Sequence, residues 1–408
     1  MRISIGRFLA VLVMATLGHA QESGLPPMLR LPDTGEDPAA IKYQSLPVLA
    51  GEHTVVTPPD TMHRLHAYLT HHGGMFWCMW SEGAAGGRNP EEGGPNMDHP
   101  GQEVMYSRSR DGMTWGPAGR LSGAPGAEGL RYIARGFWER DGRLLALASE
   151  DEALNAKGRV SFFGKSLRLL GFAWDTDRGV WTGPDLVADD AINNFPPRRL
   201  PSGEWGMTRR DHKRRAFMMI GGRSSPSAWH SWPMAVARGG DESGELKVDE
   251  PEWWELPDGR LLGVYRDNGG SRRLFRSVSE DGGRTWTRPE KTNFPDATSK
   301  FFGLRTSRGD YLLFSNPGWR RNPLCVATSD DGVTFTRLAR LPVPVAAEGG
   351  RFDATNSAGT YQYPFALERE GRVFVAYSRN VKTIEIIRVS LDEIDRLRTS
   401  RLAAGAGE

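Results

Sequence analysis

The stretch Ser279-Glu280-Asp281-Gly282-Gly283-Arg284-Thr285-Trp286 fits the pattern Ser-x-Asp-x-Gly-x-Thr-Trp at every fixed position. This pattern is an Asp-box, which forms a turn between two β-strands. Its Ser and Asp side chains are expected to bind the backbone of the turn, and its glycine to adopt a conformation that other residues resist. The tryptophan is expected to pack into the hydrophobic layer beneath. The box is structural, so it indicates a fold and leaves the chemistry open.

Two looser copies of the box, each one residue shorter, lie at residues 109–115 (Ser-Arg-Asp-Gly-Met-Thr-Trp) and 329–335 (Ser-Asp-Asp-Gly-Val-Thr-Phe). Each copy follows a β-rich run, and three such turns indicate a repeat protein built from β-sheet blades. Six similar units can be marked along the chain. The sequence therefore predicts an all-β, six-bladed β-propeller, with Trp115, Trp286 and Phe335 buried at corresponding positions of three blades.

The first residues have the pattern of a secretory signal peptide. Basic residues stand at Arg2 and Arg7, an apolar run covers residues 8–17, and small residues end at Ala20. An uncleaved membrane anchor is the alternative, although the run is shorter than the ~20 residues that a membrane span requires. We therefore expect a secreted or periplasmic protein that has no membrane span once the signal is removed.

The predicted organisation has four parts. A signal peptide at residues 1–20 and an N-terminal leader at residues 21–50 precede the propeller, which is expected over residues 51–392. The pattern near Leu391 predicts a helix, so residues 393–408 are interpreted as a C-terminal helix and tail.

The charge balance argues against nucleic acid as a partner. The chain carries 52 Lys and Arg against 50 Asp and Glu. Removal of residues 1–20 takes away two Arg and no acid, so 50 bases then face 50 acids. A polyanion such as DNA requires a strongly basic face, which this balance does not supply.

Cysteine and histidine positions argue against a disulfide framework and a metal site. The only two cysteines, Cys78 and Cys325, fall in the predicted first and fifth blades, so we do not expect them to pair. His63 and His66 lie three residues apart on a predicted strand and so on opposite faces, which makes them poor partners for one metal ion. We expect no metal and no cofactor.

Outside the boxes, residues 60–392 resemble the exo-sialidases. Six polar positions follow the order of that family, and two of the local sequences are Arg-Leu-His, where the family has Arg-Ile-Pro, and Tyr-Pro at the opening of the last blade. The positions are Arg64 at the start of blade one, Asp98 in the loop four residues before the next strand, Glu250 ahead of blade four, Arg266 at the end of the following strand, Arg321 eight residues before Ser329, and Tyr363 in the last blade.

The resemblance implies that Arg64, Arg266 and Arg321 bind a carboxylate. Sialic acid carries such a group on its anomeric carbon, and three guanidiniums hold it by charge-assisted, partly bidentate hydrogen bonds. We expect the three arginines to converge in one shallow pocket at the centre of one face. The implied partner is a glycan or polysaccharide with a terminal acidic sugar.

The resemblance also implies the catalytic residues. A carboxylate nucleophile would meet the like charge of the substrate, whereas a tyrosine hydroxyl would not. Tyr363 would therefore be the nucleophile, with Glu250 within hydrogen-bond reach as its base, in a retaining mechanism. Asp98 would protonate the leaving oxygen and then activate water.

One position departs from the family. Two residues after its first arginine the family has proline, and this chain has His66, which on a strand points the same way as Arg64. His66 would then either shape the floor of the pocket or contact the substrate, and related propellers that cut rhamnose next to glucuronate depend on a histidine. Glu252 and Glu255 also compete with Glu250 for the role of base. A lyase or hydrolase for uronate-containing polysaccharide and a non-catalytic glycan-binding propeller therefore remain alternatives.

Overall fold

The computed structural model describes residues 24–84, 101–123, 129–153, 163–164, 166–235, 247–344 and 359–399. These residues form six antiparallel sheets of four strands each. The sheets are the blades of a ring, because inner strands of most neighbouring blades contact each other and the last blade contacts the first. The prediction of an all-β, six-bladed β-propeller of sialidase type is confirmed.

Each of the first three blades is built from four consecutive strands. The first strand of the chain, β1 (Glu52–Val55), belongs to the last blade. Blade 1 contains β2 (Met62–His72), β3 (Met75–Ala84), β4 (Glu103–Ser109) and β5 (Gly119–Ser122). Blade 2 contains β6 (Leu130–Arg140), β7 (Arg143–Glu152), β8 (Arg168–Asp175) and β9 (Val180–Asp189). Blade 3 contains β10 (Arg198–Arg199), β11 (Trp205–Arg210), β12 (Ala216–Gly221) and β13 (Trp229–Ala235).

The last three blades follow the same order, and the sixth closes the ring. Blade 4 contains β14 (Val248–Glu255), β15 (Leu261–Asp267), β16 (Arg273–Ser279) and β17 (Glu290–Pro295). Blade 5 contains β18 (Phe302–Arg305), β19 (Tyr311–Ser315), β20 (Cys325–Ser329) and β21 (Arg337–Arg340). Blade 6 contains β22 (Tyr361–Arg369), β23 (Arg372–Arg379) and β24 (Thr383–Ser390), and β1 pairs with β24 as its fourth strand.

Each Asp-box connects the third strand of its blade to the fourth. Ser279 Oγ donates to Asp281 Oδ1 (2.9 Å) and accepts from the backbone nitrogen of Gly283 (2.8 Å). Asp281 Oδ1 in turn accepts from the backbone nitrogens of Arg284 (3.0 Å) and Thr285 (2.8 Å). The boxes of blades 1 and 5 repeat this pattern of bonds. The side chains therefore satisfy the turn backbone in the way the sequence pattern predicts.

The aromatic residues of the boxes are not equally buried. Phe335 is 1% exposed, whereas Trp115 and Trp286 are only partly buried. Each indole donates its N–H to the carbonyl oxygen of its own box glycine, at 3.2 and 3.0 Å, which keeps one edge of the ring at the turn. Phe335 has no such donor and packs on Phe294, with ring centroids 5.8 Å apart. The prediction of full burial is wrong for the two tryptophans.

We expect Asp281→Ala to destabilise blade 4. The substitution removes the acceptor of two backbone N–H groups and of the Thr285 hydroxyl (2.7 Å). At about 1 kcal/mol per hydrogen bond, the free energy of unfolding should fall by about 1 to 3 kcal/mol. Chemical denaturation followed by circular dichroism measures this loss. Asp281→Asn keeps one acceptor oxygen and should lose less, so equal losses in the two variants would contradict the assignment.

The segment ahead of β1 packs on the outside of blades 4 and 5. Leu29 forms a parallel bridge with Phe335, and Arg276 donates to the backbone oxygens of Pro26 (2.6 Å) and Leu25 (2.9 Å). The predicted leader is thus held against the propeller where the structure describes it. Short 3₁₀ helices lie at Pro38–Ala40, Tyr43–Ser45 and Trp319–Arg321.

The single α-helix of the described residues, α1 (Leu391–Thr399), begins directly after β24. Ser390 Oγ accepts a hydrogen bond from the backbone nitrogen of Glu393 (3.1 Å), as an N-cap residue does. No helix in the described ranges is long and apolar enough to cross a membrane. Cys78 and Cys325 are both buried and free.

Candidate active site

Three innermost strands, β2, β14 and β22, each carry a β-bulge near their start. One non-glycine residue of each bulge has a left-handed backbone: His66 (φ 58°), Glu250 (φ 48°) and Tyr363 (φ 53°). This conformation is unfavourable for such residues and persists only where the surrounding structure enforces it, as at many functional sites. A bulge also re-aims the side chain that it carries. All three re-aimed side chains are among the residues that the sequence selects.

Arg266 connects Tyr363 to Glu250. Its Nη1 donates to Glu250 Oε2 (2.8 Å) and to Tyr363 Oη (3.4 Å), and its Nε donates to Asn268 Oδ1 (2.9 Å). Among the described residues, no hydrogen bond joins Tyr363 directly to Glu250. The direct contact that the sequence predicts is therefore replaced by a shared donor, because one guanidinium nitrogen binds both oxygen atoms.

Charges around this group favour an ionised Glu250 and a protonated Tyr363. Burial acts to raise the pKa of Glu250, but Arg266 and Arg210 outweigh it and hold this pKa below its ordinary value. Burial, and then the negative charge of Glu250, raise the pKa of Tyr363. Glu250 is thus able to accept a proton, and Tyr363 carries one to give.

Arg321 lies beside Tyr363, with its guanidinium carbon 5.5 Å from the ring centroid. Its Nη2 donates to the backbone oxygen of Thr298 (3.0 Å), and its Nη1 donates to Gln362 Oε1. Within the described part of the chain, Arg321 forms no ion pair. A guanidinium that is held by neutral acceptors alone is suited to bind an anion.

His66 packs against Tyr363, with ring centroids 5.3 Å apart. Its Nδ1 lies 3.1 Å from Ser81 Oγ, and the residue is 5% exposed. Burial, and then the positive charge of Arg135, hold the pKa of His66 well below its ordinary value. His66 therefore places a neutral imidazole next to the predicted nucleophile.

Arg64 is engaged by other groups of the protein. Its Nε donates to Glu82 (2.5 Å), and its Nη1 and Nη2 donate to the two oxygens of Asp60 (2.8 and 2.7 Å). In the described ranges it makes no hydrogen bond or ion pair with another predicted site residue. The structure thus places Arg266 and Arg321 against Tyr363, whereas two carboxylates of the chain bind the guanidinium of Arg64. The convergence of three arginines on one substrate carboxylate stays a prediction.

Asp98, the predicted proton donor, lies outside the described residues, and its role stays a prediction. A different acid, Asp296, is buried near the cluster and interacts electrostatically with Arg266, Arg321 and Glu250. Burial raises the pKa of Asp296 to about 7, against the opposing effect of Arg266. Its Oδ2 has no hydrogen-bond partner among the described residues. The site thus contains a carboxyl group that is partly protonated at neutral pH.

Comparison with known families identifies this propeller. The model of the BNR repeat-like domain matches residues 92–375, which is more than half of the chain. The chain belongs to the BNR repeat-like domain family. No curated protein matches its sequence.

Solved structures share this BNR repeat-like propeller at low sequence identity. A protein of unknown function from Dyadobacter fermentans is 20% identical, with a TM-score of 0.60 over 85% of this chain and 100% of that chain. The Trypanosoma rangeli sialidase in complex with sialic acid is 13% identical, with a TM-score of 0.60 over 86% of this chain and 61% of that chain. The NanB sialidase of Streptococcus pneumoniae is 10% identical, with a TM-score of 0.60 over 85% of this chain and 71% of that chain. The present chain thus spans less than two thirds of the trypanosome protein, and the likeness shows the fold alone.

The centre of the BNR repeat-like propeller also holds charged residues that the sequence analysis missed. They are Asp296, Lys300 and the ion pair of Arg210 with Asp249. Lys300 follows Thr298, which has a left-handed backbone (φ 54°) just before β18, as Glu250 has in β14. Because the folded chain sets these backbone angles, the sequence alone contains no signal for Lys300.

The structure separates the three acids that compete for the role of base. Glu252 forms an ion pair with Arg198, and burial raises its pKa to about 7. Glu255 ends β14 and is only partly buried. Glu250 alone of the three hydrogen-bonds to Arg266 in the described ranges. The assignment of Glu250 as the base therefore remains the prediction to test.

Proposed function

We propose that the protein is a secreted exo-glycosidase of sialidase type, which removes a terminal acidic sugar, sialic acid or a similar one, from a glycan. One observation carries the proposal. The phenol of Tyr363 and the carboxylate of Glu250 accept hydrogen bonds from the same nitrogen of Arg266, beside Arg321. A nucleophile, a base and a binding place for an anion thus meet at the propeller axis. The signal-peptide pattern of residues 1–20 supports secretion.

The two arginines support an anionic sugar as the substrate. Arg266 is balanced by Glu250, whereas Arg321 has only the neutral acceptors Gln362 and the Thr298 carbonyl. A sugar carboxylate beside Tyr363 would supply the missing counter-charge. It would form charge-assisted hydrogen bonds, which are stronger than neutral ones.

Tyrosine suits this substrate as the nucleophile because its hydroxyl is neutral and does not repel the sugar carboxylate. Glu250 accepts the phenol proton as the Tyr363 oxygen forms a bond to the anomeric carbon, and the bond to the leaving oxygen breaks. An acid, predicted to be Asp98, gives the leaving oxygen its proton. Water then attacks the anomeric carbon from the face that the leaving group had occupied and gives a proton to the same aspartate. The bond to Tyr363 breaks as Glu250 returns the phenol proton, so two inversions retain the configuration.

His66 favours one alternative, a lyase or hydrolase for uronate-containing polysaccharide. Its imidazole is neutral and lies 5.3 Å from the Tyr363 ring, measured between centroids. A neutral imidazole is able to accept a proton from a substrate. In that case Tyr363 would position the sugar, and His66 would accept the proton from the substrate.

The purified protein should be tested on fluorogenic sialyl, Kdo-like and uronyl glycosides, with the absorbance of unsaturated uronate followed in parallel. The proposal expects release of the fluorophore from an acidic ketose donor, and a first product of retained configuration by NMR. Unsaturated uronate formed from a polysaccharide would favour the His66-dependent alternative. Binding of the glycan without turnover of any donor would identify a glycan-binding propeller.

A further inference from the structure

A layer of buried residues lies two positions along the chain from the left-handed residues of the site. We call it the lower layer, and it consists of Tyr68, Glu252, Lys300 and Phe365, which follow His66, Glu250, Thr298 and Tyr363 respectively. Tyr68 and Phe365 contact each other, with ring centroids 5.2 Å apart. Lys300 is the only basic member of this layer, and it is 0% exposed.

Lys300 is held by aromatic groups. Its Nζ donates to Tyr68 Oη (3.0 Å) and lies 4.2 Å from the centroid of that ring. It also lies 5.0 Å from the ring centroid of Phe195 and 5.9 Å from that of Tyr363. Among the described residues, Lys300 forms no ion pair. The aromatic faces attract its charge, but they do not neutralise it.

The charge of Lys300 therefore acts on the groups around it. Burial lowers the pKa of Lys300 to about 7, while Glu250 opposes this shift and Arg135 adds to it. Lys300 in turn contributes to the low pKa of Glu250 and to the low pKa of His66. The titratable and charged groups that face it are Tyr68 and His66 on β2, Arg135 on β6, Glu250 and Glu252 on β14, and Tyr363 on β22.

We propose that Lys300 is a positioning residue for the nucleophile and its base, because its buried ammonium adds to Arg266 and Arg210 in favouring one negative charge on the pair of Glu250 and Tyr363. The inference rests on the proposed function for the roles of these two residues. The negative charge starts on Glu250 and moves to the Tyr363 oxygen when the proton passes to Glu250. Lys300 interacts electrostatically with Glu250 and lies 5.9 Å from the ring centroid of Tyr363, so its charge favours the negative charge on Glu250 before the transfer and is beside Tyr363 after it.

Glu250 and Lys300 titrate in different pH ranges, and this difference decides how loss of the Lys300 charge changes the pKa of Glu250. Glu250 ionises in acid, where Lys300 carries its charge, so the whole effect of Lys300 on Glu250 is present there. Removal of this charge should raise the pKa of Glu250 by about one pH unit, as expected for a nearby opposite charge. The acid limb of the rate profile should move to higher pH by the same amount.

Lys300→Met removes the charge with little change in length, and Lys300→Arg retains it. Lys300→Gln removes the charge and keeps a hydrogen-bond donor for Tyr68, so it serves if the methionine variant does not fold. Lys291→Met is the matched control, because Lys291 is exposed on β17. Carbon-13 NMR of labelled glutamate measures the titration of Glu250, which Glu250→Gln assigns.

We expect the Glu250 carboxyl to titrate about one pH unit higher in Lys300→Met or Lys300→Gln, and at its original pH in Lys300→Arg and Lys291→Met. The pH profile of kcat/KM should shift in parallel. An unchanged Glu250 titration in both uncharged variants would overturn the inference. A shifted titration in a protein that hydrolyses no glycoside would instead uphold the charge coupling of Lys300 to Glu250 and refute the proposed function.

Discussion

Tyr363→Phe should abolish turnover and leave the fold intact. The variant loses only the hydroxyl that accepts from Arg266, while its ring stays in place beside His66. Without the nucleophilic oxygen no covalent intermediate forms, and kcat should fall roughly 10³- to 10⁶-fold, as for other enzymes that lose their nucleophile. Single-turnover kinetics measures the fall in rate, and mass spectrometry tests for the covalent intermediate.

Tyr265→Phe is the control for this variant. Tyr265 is another buried tyrosine, but its hydroxyl bonds to Ser277 (2.6 Å) within blade 4. We expect a loss of stability of about 1 kcal/mol and little loss of rate. If Tyr363→Phe keeps full activity while His66→Ala destroys it, the assignment of the nucleophile is wrong and the uronate alternative replaces it.

Arg321→Met should weaken substrate binding about 10- to 100-fold. Arg321 is the guanidinium beside Tyr363 that has no carboxylate partner in the described ranges, so a substrate carboxylate is its expected counter-charge. Loss of one hydrogen bond to a charged group costs about 1.5 to 3 kcal/mol. Because this contact is made with bound substrate as well as in the transition state, the effect should fall mainly on KM.

Arg320→Met is the matched control, since the same substitution then affects the neighbouring exposed arginine. KM should be unchanged in this variant. Steady-state kinetics on an acidic and a neutral glycoside separate charge recognition from a general disturbance of the site. A rise in KM of equal size for both glycosides in Arg321→Met would argue against carboxylate recognition.

The Asp-boxes were sufficient to predict the fold because their signal is local. A serine, an aspartate and a glycine at fixed spacing bind one another within a single turn, so the pattern is complete in the sequence. The depth of a tryptophan depends on how the whole blade packs, and Trp115 and Trp286 remain partly exposed for that reason. The number of blades could be predicted from the repeated units in the sequence, whereas the burial of the box tryptophans could not.

Parts of the candidate site were predictable and others were not. Glu250, Arg266 and Tyr363 stand at blade starts or strand ends, and the ring geometry brings such positions to the axis. Arg64 has an equivalent position, but its guanidinium forms ion pairs with Asp60 and Glu82. The sequence does not show this competition, because the choice of partner depends on distances that only the folded chain sets.

The burial of Lys300 could not be predicted from the sequence for a related reason. A lysine ahead of an apolar strand ordinarily remains exposed. Here the aromatic rings of Tyr68 and Phe195 enclose it, and both come from other blades. The burial of Lys300 therefore depends on the closed propeller and not on its own sequence segment.

The pairing of β1 with β24 makes assembly of the site depend on closure of the last blade. Glu52 pairs with Arg388, so the last contact of the ring joins the opposite ends of the propeller. His66 lies in blade 1 and Tyr363 in blade 6, on the two sides of this junction. A chain that lacks β24 therefore cannot complete the blade that carries Tyr363 beside His66. If the proposed hydrolysis is correct, we expect a variant that ends before β24 to be inactive, even though its other blades can form.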